Sequence, residues 1–217
     1  MNLSHLFELQ AKLDERIEQE HPRQEGEDRL AKKILALQVE LGELANEWRG
    51  FKYWSHDQEP RTKIEYICPT CNGTGDENYD SYIDDLEGGY THEVINCEDC
   101  GGTGTLGYKN PLLEEFADAL HFILSIGLEI TEPDMLDLKR WNLTKADNIT
   151  EQFLWVMADV TDLYNGLYHD GNFKFDYEYL LLQFIHLGEM LGFSWEQIEA
   201  AYMEKNTENH RRQDSNY

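Results

Sequence analysis

The side chains best suited to chemistry are two pairs of acidic residues in apolar surroundings. Glu40 and Glu43 lie in the segment VELGELANEW, and Glu115 and Asp118 lie in LEEFADALHF. Both segments predict helices, and residues three apart share one helical face. An unpaired buried charge is very costly, whereas a divalent cation between two such helices would compensate the carboxylates. Mg²⁺ prefers oxygen ligands, so we predict that these four residues bind Mg²⁺.

A site of this kind suits a phosphorylated substrate. Bound Mg²⁺ can bridge phosphate oxygens, offset developing charge and lower the pKa of a bound water. A single Glu-x-x-Glu pair is common on solvated helices, so the argument depends on a second pair in another apolar helix. Together the two pairs indicate metal-assisted attack by water on a phosphate compound.

Composition excludes several other functions. The chain has 217 residues, 41% of them hydrophobic, and a formal net charge of −25. This charge argues against a nucleic-acid surface, which needs a basic face. No apolar run is long enough to span a membrane, and the acidic amphipathic N-terminus does not have the regions of a signal peptide. We therefore expect a cytoplasmic protein with no membrane and no nucleic-acid partner.

Hydrophobic periodicity predicts an all-α helical bundle with one inserted module. Helices are predicted from Leu3 to about residue 20, from 28 to 48, from 110 to 130, from 149 to 168, from 176 to 191 and from Ser194 onward. A short helix is predicted over 132–141, and Ser194 with Gln197 matches a capping box. Residues 60–109 have no helical period and hold eight glycines and all the cysteines. We predict a helical domain formed by 1–59 and 110–217, interrupted by a module at 60–109.

The inserted module carries a cysteine pattern typical of a structural zinc site. Cys68 and Cys71 in CPTCNGTG, and Cys97 and Cys100 in CEDCGGTG, repeat the motif Cys-x-x-Cys-x-Gly-x-Gly. Four thiolates are the usual tetrahedral complement of structural Zn²⁺. The repeat resembles the cysteine-rich zinc repeats of DnaJ-type chaperones over these sixteen residues only. We predict four-cysteine ligation of Zn²⁺, with His92 as a spare ligand.

The motifs as a whole resemble one enzyme family. ELGELANEWRGFKYWS, followed by EEFADALHFILSIGLE, is similar to the dimeric all-α dUTP diphosphatases (dUTPases) of the MazG-like nucleotide pyrophosphohydrolase superfamily. The resemblance implies a homodimer that uses Mg²⁺ to hydrolyse dUTP to dUMP and pyrophosphate. Such a reaction limits uracil incorporation into DNA and supplies dUMP for dTMP synthesis. It also implies that one glutamate activates the attacking water, a role we assign to Glu43.

The same resemblance extends to residues that would hold the base. The opening segment LFELQAKLDERI places the family's uracil-reading glutamine on Gln10 and a polar neighbour on Asp14. A primary amide offers both a donor and an acceptor to a pyrimidine edge. Asn46 and Trp54 are expected to complete or close the base pocket, although aromatic residues at a helix end more often belong to the core.

The C-terminal segment is the predicted phosphate-binding element. KNTENHRRQ resembles the closing motif of the family, and its Lys205, Asn209 and Arg212 stand at i, i+4 and i+7. These three residues share one helical face, on which Arg and Lys suit phosphate oxygens. The competing interpretation is a cationic helix C-terminus that favours the helix dipole.

Two alternatives remain at the level of sequence. A MazG-like pyrophosphohydrolase could act on dCTP or another dNTP rather than on dUTP. A protein of another class would be a binding module in which a zinc knuckle is displayed on a helical scaffold. Acidic residues around the knuckle, such as Asp84, Glu98 and Asp99, count against a nucleic-acid version of that module.

Overall fold

The fold of residues 3–79, 93–171 and 173–214 is described here from a computed structural model. His92 and Asp84 lie outside these residues. The helices are α1 (Leu3–Glu20), α2 (Arg29–Trp48), α3 (Pro111–Ile130), α4 (Ile149–Asn165), α5 (Phe173–Met190) and α6 (Trp195–Asp214). A π-helical turn, Gly166–Asp170, follows α4, and two strands, β1 (Ile64–Ile67) and β2 (Thr105–Lys109), pair antiparallel. The prediction of an all-α fold is confirmed.

Local sequence explains how the site-bearing helices begin. Asp28 caps α2, because its carboxylate accepts a hydrogen bond of 2.9 Å from the backbone N–H of Ala31. Ser194 and Gln197 exchange backbone-to-side-chain hydrogen bonds at the start of α6. This confirms the predicted capping box.

The chain divides into two compact units, residues 1–60 with 112–217, and residues 61–111. In the first unit, α1 packs on α6, α2 packs on α4, and α4 packs on α5. Apolar faces of all six helices form one core. Phe116 of α3 stacks on Phe184 of α5 with 4.2 Å between ring centroids, and Trp48 of α2 meets Phe153 of α4 at 5.3 Å. These ring contacts pack α2 and α3, which carry the predicted carboxylate site, against α4 and α5.

The prediction of a helix over 132–141 is wrong. This segment forms two separate 3₁₀ turns, Pro133–Met135 and Leu138–Arg140. The backbone N–H of Asp137 and the indole N–H of Trp141 both donate to the carboxylate of Glu178, at 3.3 and 2.7 Å. Glu178 is fully buried in α5. Hydrogen bonds to a buried charge are stronger than neutral ones, so this anchor outweighs the local helical pattern.

A partly buried carboxylate on α4 predicts how stability depends on pH. Burial first, and then repulsion from Asp162 and Asp176, raises the pKa of Asp159 from 3.8 to about 7. The folded state therefore binds this proton more tightly than the unfolded state, and stability falls as pH rises from about 4 to about 7. We expect Asp159→Asn to raise Tm at pH 8 by about 2 °C or more and to flatten Tm between pH 4 and 7. Thermal melts across this range check the expectation.

The matched control is Asp147→Asn, which removes the same charge at an exposed position. Its pH profile should follow the wild type. If Asp159→Asn instead melts earlier than the wild type at pH 8, the carboxylate has a stabilising partner and its assignment as a strained charge is wrong.

Candidate active site and cysteine cluster

The predicted site residues of four helices meet around one cavity. The cavity has a volume of about 810 Å³ and is walled by α1, α2, α3 and α6. Its walls carry acidic side chains from α2 and α3 and buried polar groups from α1 and α3. Its lining includes Gln10, Asp14, Glu40, Asp118, Lys205, Asn209 and Arg212.

Three of the four predicted metal ligands form a tight cluster. Glu40 and Glu43 of α2 and Glu115 of α3 each offer a carboxylate oxygen, and these oxygens lie within 4.8 Å of one another. Glu40 and Glu115 are partly buried, whereas Glu43 is exposed. The structure thus brings together three of the four carboxylates that the sequence places in one site.

The carboxylates of the cluster repel one another. Burial, followed by repulsion from Asp118 and Glu43, raises the pKa of Glu40 from 4.5 to about 7. Burial and the same neighbours raise the pKa of Glu115 to about 7. Like charges held together disfavour the ionised form, so the cluster favours any group that brings positive charge.

The fourth predicted ligand, Asp118, is held by a lysine. Lys205 Nζ of α6 lies 2.6 Å from Asp118 Oδ2 and 3.6 Å from Glu114 Oε1. Burial raises the pKa of Asp118, and the hydrogen bond and charge of Lys205 oppose this rise. Burial acts to lower the pKa of Lys205, but Asp118 outweighs it and raises the pKa. The predicted phosphate-binding lysine therefore pairs with the one predicted metal ligand that lies outside the cluster of three glutamates.

The residues present fit a hard divalent cation. The donors are all carboxylate oxygens, the ligand type that Mg²⁺ takes. Glu115 Oε2 is buried and has no hydrogen-bond partner in the described part of the chain. A buried polar atom of this kind requires a partner, and a cation among Glu40, Glu43 and Glu115 would supply it.

A second group of polar side chains surrounds the amide of Gln10. Gln10 is 3% exposed, and its Nε2 donates to Asp14 Oδ1 at 2.7 Å. Asp14 Oδ2 accepts from Ser125 Oγ at 2.5 Å and lies 3.3 Å from Lys33 Nζ. The two residues predicted to bind the base are thus hydrogen-bonded to each other, and Ser125 and Lys33 also hold Asp14 in place.

Two further residues bind the oxygen of the same amide. Tyr202 Oη of α6 lies 2.8 Å and His121 Nδ1 of α3 lies 2.7 Å from Gln10 Oε1. The rings of His121 and Tyr202 stack with 3.9 Å between centroids. Burial first, with the positive charge of Lys205, lowers the pKa of His121 to about 3. The imidazole is therefore neutral at physiological pH.

The remaining predicted site residues lie at different distances from this network. Asn209 and Arg212 line the cavity, and Arg212 Nε also donates to Glu208 Oε1 at 3.3 Å. Asn46 is exposed on α2. Trp54 is 65% exposed, and its ring meets Phe51 and Tyr53 edge-on. Neither Asn46 nor Trp54 belongs to the described residues that line the Gln10 cavity.

Sequence reasoning missed His121, Tyr202, Ser125 and Lys33 as site residues. His121 follows Asp118 by three positions and so shares its helical face, which was a usable signal. Tyr202 precedes Lys205 by three positions and gives the same signal on α6. Ser125 and Lys33 carry no motif, and their role follows only from the packing of α1 against α2 and α3.

The second compact unit contains the four predicted zinc ligands. Cys68 Sγ lies 3.8 Å from Cys97 Sγ, and Cys71 Sγ lies 3.7 Å from Cys100 Sγ. All four sulfurs lie within 4.8 Å of one another, and all four cysteines are free. A disulfide would need sulfurs about 2.05 Å apart, whereas tetrahedral ligation with Zn–S of about 2.3 Å gives edges of about 3.8 Å. The cluster can therefore bind a metal ion such as zinc.

Backbone geometry shapes both cysteine knuckles in the same way. The N–H of Gly75 donates to Cys71 Sγ and that of Gly104 donates to Cys100 Sγ, each at 3.2 Å. Both glycines have positive φ, and a Cβ at either would collide with backbone of the opposite knuckle. Glycine is required here because the two turns approach closely.

Comparison with known proteins gives the family. A family model described as dUTPase matches residues 2–67 and 105–217, which is most of the chain. The chain belongs to this dUTPase family. The comparisons with curated proteins and with solved structures each returned no match.

The dUTPase match covers both carboxylate doublets, the Gln10 network and the C-terminal helix. It makes the chain a dUTP diphosphatase at the level of the family. It leaves residues 68–104 unmatched, and these contain all four cysteines. Within residues 3–79, 93–171 and 173–214, no helix has the length and apolar character to cross a membrane.

Proposed function

We propose that the cavity hydrolyses dUTP to dUMP and pyrophosphate with Mg²⁺ at the carboxylate cluster. The observation that carries the proposal is the convergence of Glu40, Glu43 and Glu115 within 4.8 Å. In addition, the buried amide of Gln10 lines the cavity that Glu40 also lines. One cavity thus combines a cation site with a pyrimidine-reading group.

Glu40, Glu43 and Glu115 would hold Mg²⁺, with Asp118 beside them. When bound, Mg²⁺ supplies positive charge for phosphate oxygens and lowers the pKa of a coordinated water. Glu43 is the exposed member of the cluster, and we assign to it the acceptance of the proton from the attacking water. Lys205, Asn209 and Arg212 of α6 provide cationic and amide groups for the phosphates.

The cysteine cluster serves a different purpose in this proposal. We propose that Cys68, Cys71, Cys97 and Cys100 bind structural Zn²⁺, which holds the module at residues 61–111 together. Among the described residues of this unit, the buried hydrophobic cluster consists of Cys68, Cys71 and Cys97, with Cys100 packed against it. So small a unit needs a metal or another covalent constraint to fold.

The experiment for the catalytic proposal is pyrophosphate release across a nucleotide panel. dUTP, dCTP, dTTP and UTP are compared with Mg²⁺ and with excess EDTA. We expect dUTP to have the highest kcat/KM, with release abolished by EDTA. Preference for dCTP or another dNTP would overturn the substrate assignment, and turnover in EDTA would overturn the role of the metal.

A further inference from the structure

The amide of Gln10 can point in only one direction. Asp14 faces the ammonium of Lys33 and accepts hydrogen bonds at both of its oxygens. The atom of Gln10 that lies 2.7 Å from Asp14 Oδ1 must therefore be the nitrogen. The amide oxygen is directed to the other side of the side chain.

The opposite side of the amide is closed by two donors. Gln10 Oε1 has no hydrogen to give, so Tyr202 Oη and His121 Nδ1 must both donate to it. Both lone pairs of the oxygen are then in use. Gln10 Nε2, by contrast, makes one hydrogen bond within the described part of the chain and keeps a second N–H.

We propose that His121 and Tyr202 are positioning residues that lock the Gln10 amide, and that this lock makes the cavity select a uracil edge over a cytosine edge. The inference rests on the proposed function, because it concerns the base of the same substrate.

The locked network presents a defined pattern to a base. Gln10 offers an N–H donor, and next to it the Asp14 carboxylate has remaining acceptor capacity. Uracil presents the complementary pair, a carbonyl oxygen at position 4 and an N–H at position 3. Cytosine presents an amino group at position 4 and a bare nitrogen at position 3, so donor meets donor and acceptor meets acceptor. The buried groups of the site would then lack hydrogen-bond partners, so we expect cytosine to bind much more weakly than uracil.

Loss of the two donors on Oε1 would leave the hydrogen bond to Asp14 as the remaining restraint on the amide. Gln10 would then rotate more readily and could turn its oxygen to the amino group of cytosine, which reverses one of the two mismatches. Discrimination between the two bases should then fall, while the carboxylate cluster and its chemistry stay unchanged. A loss of base discrimination without a loss of chemistry would distinguish a positioning role from a purely structural one.

The test compares Tyr202→Phe and His121→Phe, singly and together, with the matched control Tyr177→Phe. Tyr177 is also fully buried, but its hydroxyl donates to the backbone oxygen of Ile123. We expect the Tyr202→Phe, His121→Phe variant to lower the ratio of kcat/KM for dUTP over dCTP by about tenfold or more. The change should fall on KM rather than kcat. Tyr177→Phe should keep the wild-type ratio, and His121→Asn, which restores a donor, should recover part of it.

Binding of dUMP and dCMP without metal gives a readout that needs no catalysis. If the wild type prefers dUMP but does not hydrolyse dUTP, the catalytic proposal fails while the lock can still be tested by loss of that preference in the variants. If Gln10→Ala loses the preference for dUMP but the Tyr202→Phe, His121→Phe variant keeps it, then His121 and Tyr202 do not position the Gln10 amide for base selection and the proposal is wrong. If the wild type shows no preference between dUMP and dCMP, the proposal is also wrong. Should His121→Phe fold poorly, Tyr202→Phe alone decides.

Discussion

The double variant Glu43→Gln, Glu115→Gln is expected to lose Mg²⁺-dependent dUTP hydrolysis by about 10³-fold or more. Removal of a single charge-stabilising group already costs about 10²- to 10³-fold in comparable sites, and this variant removes two of three clustered ligands. The same change relieves repulsion among the clustered carboxylates, so Tm without metal should stay equal or rise. Steady-state pyrophosphate release and thermal melts measure both effects.

Glu204→Gln is the matched control for this experiment. Glu204 is exposed on α6, carries the same charge and lies outside the cluster. It should retain activity within about threefold. Unchanged turnover in the double variant would mean that Glu43 and Glu115 do not bind the catalytic metal. Equal losses in the variant and the control would indicate a general effect of charge.

The second large expected effect is on the cysteine module. Cys68→Ser with Cys97→Ser should abolish zinc binding and unfold residues 61–111, because structural zinc contributes about 10–16 kcal/mol in small zinc domains. The helical unit has its own core. We therefore expect dUTP hydrolysis to persist in the folded helical unit. Zinc content by elemental analysis and protease sensitivity of the module give the readouts.

Purified wild-type protein should contain about one zinc per chain. Absence of zinc together with disulfide formation would overturn the metal assignment. A serine variant with normal protease resistance would show that the module folds without zinc. Loss of dUTP hydrolysis with the helical unit intact would give the module a role beyond stability.

The helical architecture could be predicted from sequence because most of it is encoded locally. Periodic apolar residues and caps such as Asp28 and Ser194 define helix ends within a few positions. The segment 132–141 was the exception. Its conformation depends on Glu178, which lies far along the chain in α5 and has no local signature.

The site could be predicted only in part, for the same physical reason. Paired carboxylates at a spacing of three identify Glu40, Glu43 and Glu115 without knowledge of the fold. The ion pair between Lys205 and Asp118 depends instead on how α6 packs beside α3. The orientation of the Gln10 amide likewise requires a tyrosine 192 positions away. Sequence supplies residue types, whereas contacts across helices decide which atoms of those residues face a ligand.

The most direct test of the central claim is a crystal structure with Mg²⁺ and a non-hydrolysable α,β-imido analogue of dUTP. The account predicts Mg²⁺ bound by Glu40, Glu43 and Glu115, with phosphate oxygens against Lys205 and Arg212 and the uracil edge against Gln10. A nucleotide bound outside this cavity, or Mg²⁺ with none of the three glutamates as ligands, would contradict it.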